Sequence, residues 1–375
     1  MKKIYNFTNI PSHYRSLLWN KLLNNSDFEF HFLFGKNKAL QIKEIDFTRS
    51  EFKQQAHKLH KLKNIWIKGK VLIWQSRVIK RCLVDPIDVA IFLGEFQVLS
   101  TWFAVLICKI RGIKVVYWTH GLYGNESPLK KKIRVLFYKT ANEILLYERR
   151  AKDLLIKEGL KEESLKVIFN SLDYDVHKEL RTSEGLRTSN KPNFFINNEL
   201  PYLIFVGRLT KVKKIDLLIQ ALKQINKTTQ KVNLLIVGDG VEKENLEILI
   251  KELGLERQVH LYGACYKEEL LAQFIYHATL CVSPGNVGLT AIHSLSFGTP
   301  VCTHQNYLNQ MPEVEVIEEG CNGCFFDENN IEDLTRVVDN WLGNSVSREQ
   351  IRKQCYQVID TYYNPYYQYK IIQSL

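Results

Sequence analysis

Short apolar runs of strand length alternate with segments of helical period along the chain, and this alternation limits the possible folds more than any other feature. The runs fall at 3–7, 28–34, 71–74, 89–93, 114–119, 144–147 and 166–169 in the first half, and at 202–206, 233–237, 260–262, 280–283 and 301–303 in the second. Strands separated by helices pair in parallel, with the helices covering both faces, so the fold class is α/β. At 375 residues the chain exceeds one ordinary domain of this kind. Two sheets are therefore expected, one over residues 1–180 and one over 202–355. The stretch 181–201 is rich in Ser, Thr, Asn and Gly, contains Pro192 and Pro201, and is predicted to link them. Residues 356–375 form a tyrosine-rich tail in which Asn364-Pro365 marks a break before a last short helix.

Composition excludes several classes. The longest apolar stretch, 96–108, stops at Lys109, short of the ~20 residues that a spanning helix needs. Met1-Lys2-Lys3 leads into a segment too short and too quickly polar for a secretory signal, which predicts a cytoplasmic protein. Residues 1–150 hold 27 Lys+Arg against 11 Asp+Glu, a balance of +16, whereas the remainder holds 24 against 29, a balance of −5. A basic first half suits an anionic partner such as a phospholipid surface at the inner face of the cell membrane, or a lipid-linked diphosphate; a solvated basic face is the plain alternative. Nucleic acid is not expected, because no nucleic-acid module signature is present. The eight cysteines lie mostly in apolar runs and are expected to be reduced and buried. Cys321 and Cys324 have metal-ligand spacing but no second pair, so no metal site is predicted.

The residues suited to chemistry concentrate between 203 and 303. Gly207-Arg208 follows one apolar run, with Lys213 five residues on; Gly238-Asp239-Gly240 follows the next; Ser283-Pro284-Gly285-Asn286-Val287-Gly288-Leu289-Thr290 follows a third and enters a helix. Open parallel sheets bind ligands at the carboxyl ends of their strands. An Arg and a Lys there neutralise a diphosphate, and the backbone N–H groups of Gly288, Leu289 and Thr290 at the helix start suit the same anion. His293, one turn further along, is positioned to meet ribose hydroxyls. Singly, Arg208, Lys213 and His293 each read better as a solvated loop or core residue; together they favour a site.

Together they resemble the carboxyl-terminal, donor-binding domain of retaining glycosyltransferases of the GT-B fold, family four (glycosyl transferases group 1). The resemblance covers residues 200–330 well and the rest more thinly. It implies two Rossmann-like doubly wound domains facing across a cleft, the first binding acceptor and the second binding donor, and a final helix that returns to the first domain. It further implies that Arg208 and Lys213 hold the donor diphosphate and stabilise the leaving group, that Gly207, Gly238 and Gly288 to Thr290 line the donor, and that Tyr262-Gly263 lies near the base. The family pattern places two glutamates eight positions apart, and here those positions are Gly285 and His293. Gly285 cannot read a sugar. Glu313, on the loop after the next strand, is the candidate replacement; the competing reading is an exposed loop acid. A subset of bacterial surface-polysaccharide transferases shares the variant.

In the first half, Thr119-His120-Gly121 closes an apolar run, and His120 is similar to the family histidine that contacts the transferred sugar. Glu95, Glu126, Lys130 and Arg134 are candidate acceptor contacts, Lys130 and Arg134 through phosphate. Arg15 follows the first strand, where the family carries a glycine-rich loop, and is a candidate anion contact. Asn170-Ser171-Leu172-Asp173 resembles the segment that ends the family's first domain.

The resemblance implies a metal-independent, cofactor-free transfer of sugar from a nucleoside-diphosphate donor to a saccharide acceptor, such as a lipid-linked one in O-antigen or capsule synthesis. The alternatives are a nucleotide-sugar epimerase on the same fold and a non-catalytic nucleotide-sugar-binding or scaffold protein. A nicotinamide dehydrogenase is disfavoured, since no Gly-x-Gly-x-x-Gly follows the first strand.

Overall fold

A computed structural model describes residues 1–36, 43–67, 71–227 and 231–375. It divides into two compact units, one of Met1–Asp173 with Asn364–Leu375 and one of Tyr174–Tyr363.

The first unit contains β1 (Lys2–Thr8), β2 (Phe28–Phe34), β3 (Leu59–Lys61), β4 (Asn64–Ile67), β5 (Leu72–Gln75), β6 (Val89–Leu93), β7 (Lys114–Thr119), β8 (Glu143–Leu146) and β9 (Leu165–Val167). Seven of them form a parallel sheet in the order β3-β2-β1-β6-β7-β8-β9. β4 and β5 pair apart from it as an antiparallel ribbon. The strands are apolar on both faces because helices cover both, giving two cores, one around Phe92, Tyr117 and Phe137, the other around Trp19, Phe30 and Phe32. The last helix, Pro365–Gln373, belongs to this unit. Its Gln368 donates to the Phe169 carbonyl (2.9 Å) and accepts from the Ser171 hydroxyl (2.6 Å), and Ile372 is wholly buried.

The second unit contains β10 (Tyr202–Val206), β11 (Asn233–Val237), β12 (Val259–Gly263), β13 (Leu280–Ser283), β14 (Val301–His304) and β15 (Gly323–Phe326), all parallel, in the order β12-β11-β10-β13-β14-β15. The chain steps outward from β10 through β11 to β12, then returns to the other side of β10 and steps outward again. The strand order therefore reverses between β10 and β13, the kind of position at which open parallel sheets bind ligands. In the first unit the corresponding reversal lies between β1 and β6.

The expected linker begins as helix and has no helix or strand from residue 188 to 201. Residues Tyr174–Thr182 and Glu184–Arg187 are helical, and the units part at Asp173/Tyr174. The buried Arg181 donates to Asp360 (2.5 Å) and stacks over the Tyr356 ring (4.4 Å), so this stretch packs into the second unit and is no free tether. The tail also differs from expectation, since helix Arg348–Thr361 runs through residue 356 without interruption. Asn364 then caps the final helix by accepting the N–H groups of Tyr366 (3.0 Å) and Tyr367 (2.9 Å).

Candidate functional site

In the second unit the loops after β10 and β13 carry most of the predicted residues, and backbone packing fixes their approach. A Cβ on Gly238 would lie 1.8 Å from the Gly207 carbonyl oxygen, and one on Gly285 would lie 2.0 Å from that of Val212. Neither position has room for a side chain. The Gly285 N–H donates to the Lys213 carbonyl (3.0 Å), which joins the two loops directly. Gln310, unremarked in the sequence, pins the second loop: its side-chain oxygen accepts the Val287 N–H (2.9 Å), and its amide donates to the Thr303 hydroxyl (2.8 Å) and His304 carbonyl (3.0 Å). Thr290 ties its hydroxyl back to the Val206 carbonyl (3.0 Å).

Two cations lie at this junction. Arg208 is exposed, with no side-chain hydrogen bond or salt bridge among the described residues. Lys213 is half-buried and donates to the backbone (2.5 Å) and side-chain (2.8 Å) oxygens of Asn286. Burial and the neighbouring Arg208 charge push its ammonium down from 10.5 to about 8, although Glu313 opposes them. The N–H groups of Gly288, Leu289 and Thr290 find no acceptor among the described residues, so the loop offers unspent donors beside two positive charges. Glu313 is buried, on the short 3-10 helix Pro312–Val316, and its charge favours the ammonium form of Lys213. It is not the exposed loop acid of the competing reading.

His293 is engaged differently from expectation. Its Nε2 contacts Glu268 Oε1 at 2.6 Å, and His177 Nε2 contacts the same oxygen at 3.1 Å. One ring nitrogen of the residue predicted to meet ribose is thus turned to a carboxylate that the sequence did not mark. Gly263 ends β12 and introduces the loop that leads to Glu268.

In the first unit, Arg15, His120, Tyr147 and Asn170 gather near the carboxyl ends of β1, β7, β8 and β9. Arg15 lies over the rings of Trp118 (5.0 Å) and Tyr147 (5.2 Å) and donates to the Tyr147 hydroxyl (2.6 Å) and, at 3.5 Å, to Asn170. Arg15, Trp118 and Tyr147 help to line a small open pocket with Asn6, Thr8 and Leu93. The His120 ring sits 4.7 Å from that of Tyr147 and 6.1 Å from that of Tyr123, and its Nδ1 has no hydrogen-bond partner among the described residues. Burial, with the charges of Arg15 and Arg134, pushes it down to about 4, so it is neutral at pH 7.

The predicted acceptor contacts separate. Arg134 is buried and bridges Glu126 (2.9 Å) and Glu95 (3.6 Å), while Glu126 also accepts the Tyr123 (2.8 Å) and Gly124 (3.0 Å) N–H groups. Burial opposes ionisation of Glu126, yet these bonds hold its carboxyl below the usual range. Arg134 and Glu126 therefore tie the turn after β7 to helix Pro128–Tyr138 and are not open to a phosphate. Glu95, whose carboxyl is raised chiefly by burial, and the exposed Lys130 remain accessible.

Residues 187–358 match the family described as glycosyl transferases group 1. The chain carries a glycosyl transferases group 1 domain. It is 24% identical over 65% of its length to an uncharacterized glycosyltransferase of Methanocaldococcus jannaschii, and spans 63% of that relative. Among solved structures it is similar to the apo form of the lipopolysaccharide outer core galactosyltransferase WaaB (TM-score 0.71, 18% identity, all of both chains). It is also similar to Anabaena HepE in complex with UDP (TM-score 0.69, 17% identity, 100% of this chain and 99% of that one). These likenesses give the fold, which is of GT-B type. Within the group 1 domain, Gly207, Arg208, Lys213, Gly238, Gly288, Leu289, Thr290 and Glu313 lie on the loops at and beside the strand-order reversal, whereas His293 joins the Glu268 cluster. Glu268, Gln310 and Asn286 were not singled out, because their partners are distant in sequence and no spacing announces them.

Proposed function

We propose that the protein transfers a sugar from a nucleoside-diphosphate donor to a hydroxyl of a saccharide acceptor in surface-polysaccharide synthesis. The observation that carries this reading is the junction of Arg208, Lys213 and the open N–H groups of Gly288 to Thr290 at the strand-order reversal of a glycosyl transferases group 1 domain. Its charge and donor geometry match a diphosphate, and HepE was solved with UDP. The donor's anomeric carbon loses its bond to the diphosphate oxygen and gains one to the acceptor hydroxyl on the same face, and the hydroxyl proton passes to the departing oxygen. Configuration is retained. Arg208 and Lys213 stabilise the leaving charge, and no metal enters the chemical step. Glu313, whose charge raises Lys213, is assigned the contact with a sugar hydroxyl. In the first unit, neutral His120 offers a hydrogen bond to the transferred sugar, Arg15 offers an anion contact, and Glu95 and Lys130 meet the acceptor.

The acceptor is proposed to be lipid-linked, with the first unit resting on an anionic membrane. No helix among the described residues is long and apolar enough to cross a membrane. Instead, helix Leu99–Ile110 exposes Phe103, Leu106 and Ile110, and helix Pro128–Tyr138 exposes Leu129, Ile133 and Leu136, each set at helical spacing along one face. Trp102 and Phe137 join the two helices (4.8 Å), and Lys109, Lys130 and Lys132 flank the exposed faces. An apolar surface edged with lysines suits an anionic bilayer.

The test is a panel of nucleoside-diphosphate sugars, scored first by thermal stabilisation and then by product formed on saccharide acceptors. Binding by one donor class and its loss in Arg208→Ala are expected. Turnover of donor without acceptor would identify an epimerase, and binding without any product a scaffold.

A further inference from the structure

We propose that His177, Glu268 and His293 form a binding site for one borderline divalent cation, zinc by its ligand chemistry. The three side chains come from three helices of the second unit, Tyr174–Thr182, Glu268–His277 and Thr290–Ser296, and no sequence spacing marks them as a set. Both ring Nε2 atoms converge on one oxygen, Glu268 Oε1, at 3.1 and 2.6 Å, and all three ligand atoms lie within 4.8 Å of one another. A tetrahedral zinc, with bonds of roughly 2.0–2.2 Å, holds its ligand atoms about 3.3–3.5 Å apart. The His177 edge is nearly that length already, and the His293 edge needs to open by less than about 1 Å.

Two imidazoles among three ligands favour zinc over magnesium or calcium, which take oxygen shells. The carboxylate supplies the negative charge a cation requires, and both imidazole Nε2 atoms are directed at it. The rings are nearly parallel (5.0 Å, 18°), and Phe297 packs against both (5.1 and 5.5 Å), so the histidines are held facing the carboxylate before any ion arrives. Buried His177 forms the floor, while the Glu268 side chain keeps 34% of its exposure and leaves an entry path and a fourth position for water. The ion takes the place of the protons between each Nε2 and the carboxylate, each neutral imidazole then carrying its proton on Nδ1, and ties the first helix of the second unit to the loop side of its sheet. This role is structural and does not depend on the donor assignment.

The full chain, stripped with a chelator and dialysed, is titrated with Zn²⁺ by calorimetry, and bound metal is counted by atomic emission. One zinc per chain is expected at micromolar affinity or tighter, with a rise in melting temperature that Mg²⁺ does not give. His177→Gln and Glu268→Gln should each weaken binding by at least the roughly 10-fold that loss of even an outer partner costs, whereas His57→Ala, on the surface of the other unit, should not. Circular dichroism in chelator checks that each variant folds. Should the variants fail to fold, Co²⁺ added to the unaltered chain gives the intense visible absorption of a four-coordinate site. Absence of stoichiometric zinc, zinc binding unchanged in the folded variants, or absence of that absorption overturns the proposal and leaves a hydrogen-bonded triad only. UDP binding is measured on the same stripped sample, so failure of the donor reading is seen separately.

Discussion

With Lys213 on the diphosphate, as proposed, donor binding should be sensitive to pH in a range where diphosphate itself no longer titrates. Its ammonium is depressed to about 8 in the free protein, and a bound anion favours the charged form. If only that form grips the diphosphate, the apparent Kd is flat to near pH 7, about 2-fold weaker at pH 8 and about 11-fold weaker at pH 9. The curve then levels once pH passes the higher pKa of the lysine in the complex. With nucleotide fixed at 100 times its neutral Kd, the stabilisation by ligand falls from about 2.7 kcal/mol to about 1.4 kcal/mol between pH 7 and pH 9. Calorimetric titration at constant ionic strength measures the first quantity and thermal melting the second. Glu313→Gln should move the whole limb to lower pH, because that carboxylate raises the lysine.

The ligand-free protein should respond with the opposite sign. A lysine depressed on folding binds fewer protons in the folded than in the unfolded chain between about pH 8 and 10.5, so its contribution to stability rises with pH through that window. The full shift corresponds to about 3 kcal/mol, an upper figure for a side chain that keeps some solvent. It is read as the difference between the unaltered chain and Lys213→Met, which has no such group. A Kd unchanged from pH 7 to 9, or the same limb in Lys213→Met, would refute the assignment of Lys213 to the diphosphate.

Arg208→Ala should weaken donor binding roughly 10- to 100-fold, the worth of about 1.5–3 kcal/mol for a charged hydrogen bond, with an unchanged melting temperature, because the side chain is exposed and unengaged. Arg134→Met leaves Glu126 buried without its cation and should cost about 3–5 kcal/mol in urea unfolding; a loss under 1 kcal/mol would mean that the pair is solvated. Leu106→Glu with Leu136→Glu should reduce binding to anionic vesicles, and the residual binding should fall with salt; binding unaffected by either change would dismiss the membrane surface. Gly285→Glu should lower both stability and donor affinity, since its Cβ meets the Val212 carbonyl at 2.0 Å; gain of activity would show that the loop can open.

The sheets were legible because burial on both faces leaves an uninterrupted apolar run, and the runs at 28–34, 89–93, 114–119, 202–206, 233–237 and 280–283 coincide with strands to the residue. What escaped were elements at the margins. β3 and β4 are short and half-exposed, so they carry no such run. β15 begins in Gly323-Cys324, where a cysteine-spacing signal competed with the strand, and its cysteine proves to be buried. The linker was misread for a different reason. Ser, Thr and Asn between 181 and 190 are helix-capping and turn residues, as where Ser183 accepts the Leu186 N–H, and their abundance imitates a tether.

At the candidate site the sequence revealed groups that depend on strand ends and concealed those that depend on tertiary approach. Arg208, Lys213 and the glycines stand at fixed offsets from apolar runs, so the topology alone brings them together. The roles of Gln310, Asn286 and Glu268 rest on partners that no local pattern supplies. Read as a sequence, Gly285 is a missing glutamate; in the fold it is the residue that lets the loop after β13 close on Lys213, with no space for any side chain. The acids that this region does possess, Glu313 and Glu268, enter from other elements and are partly or wholly buried. A carboxylate arriving from a neighbouring element needs no fixed spacing from the glycine-rich loop. Recognition of a donor by such acids would leave no trace in the motif, and the departure from the family pattern is therefore no argument against transfer.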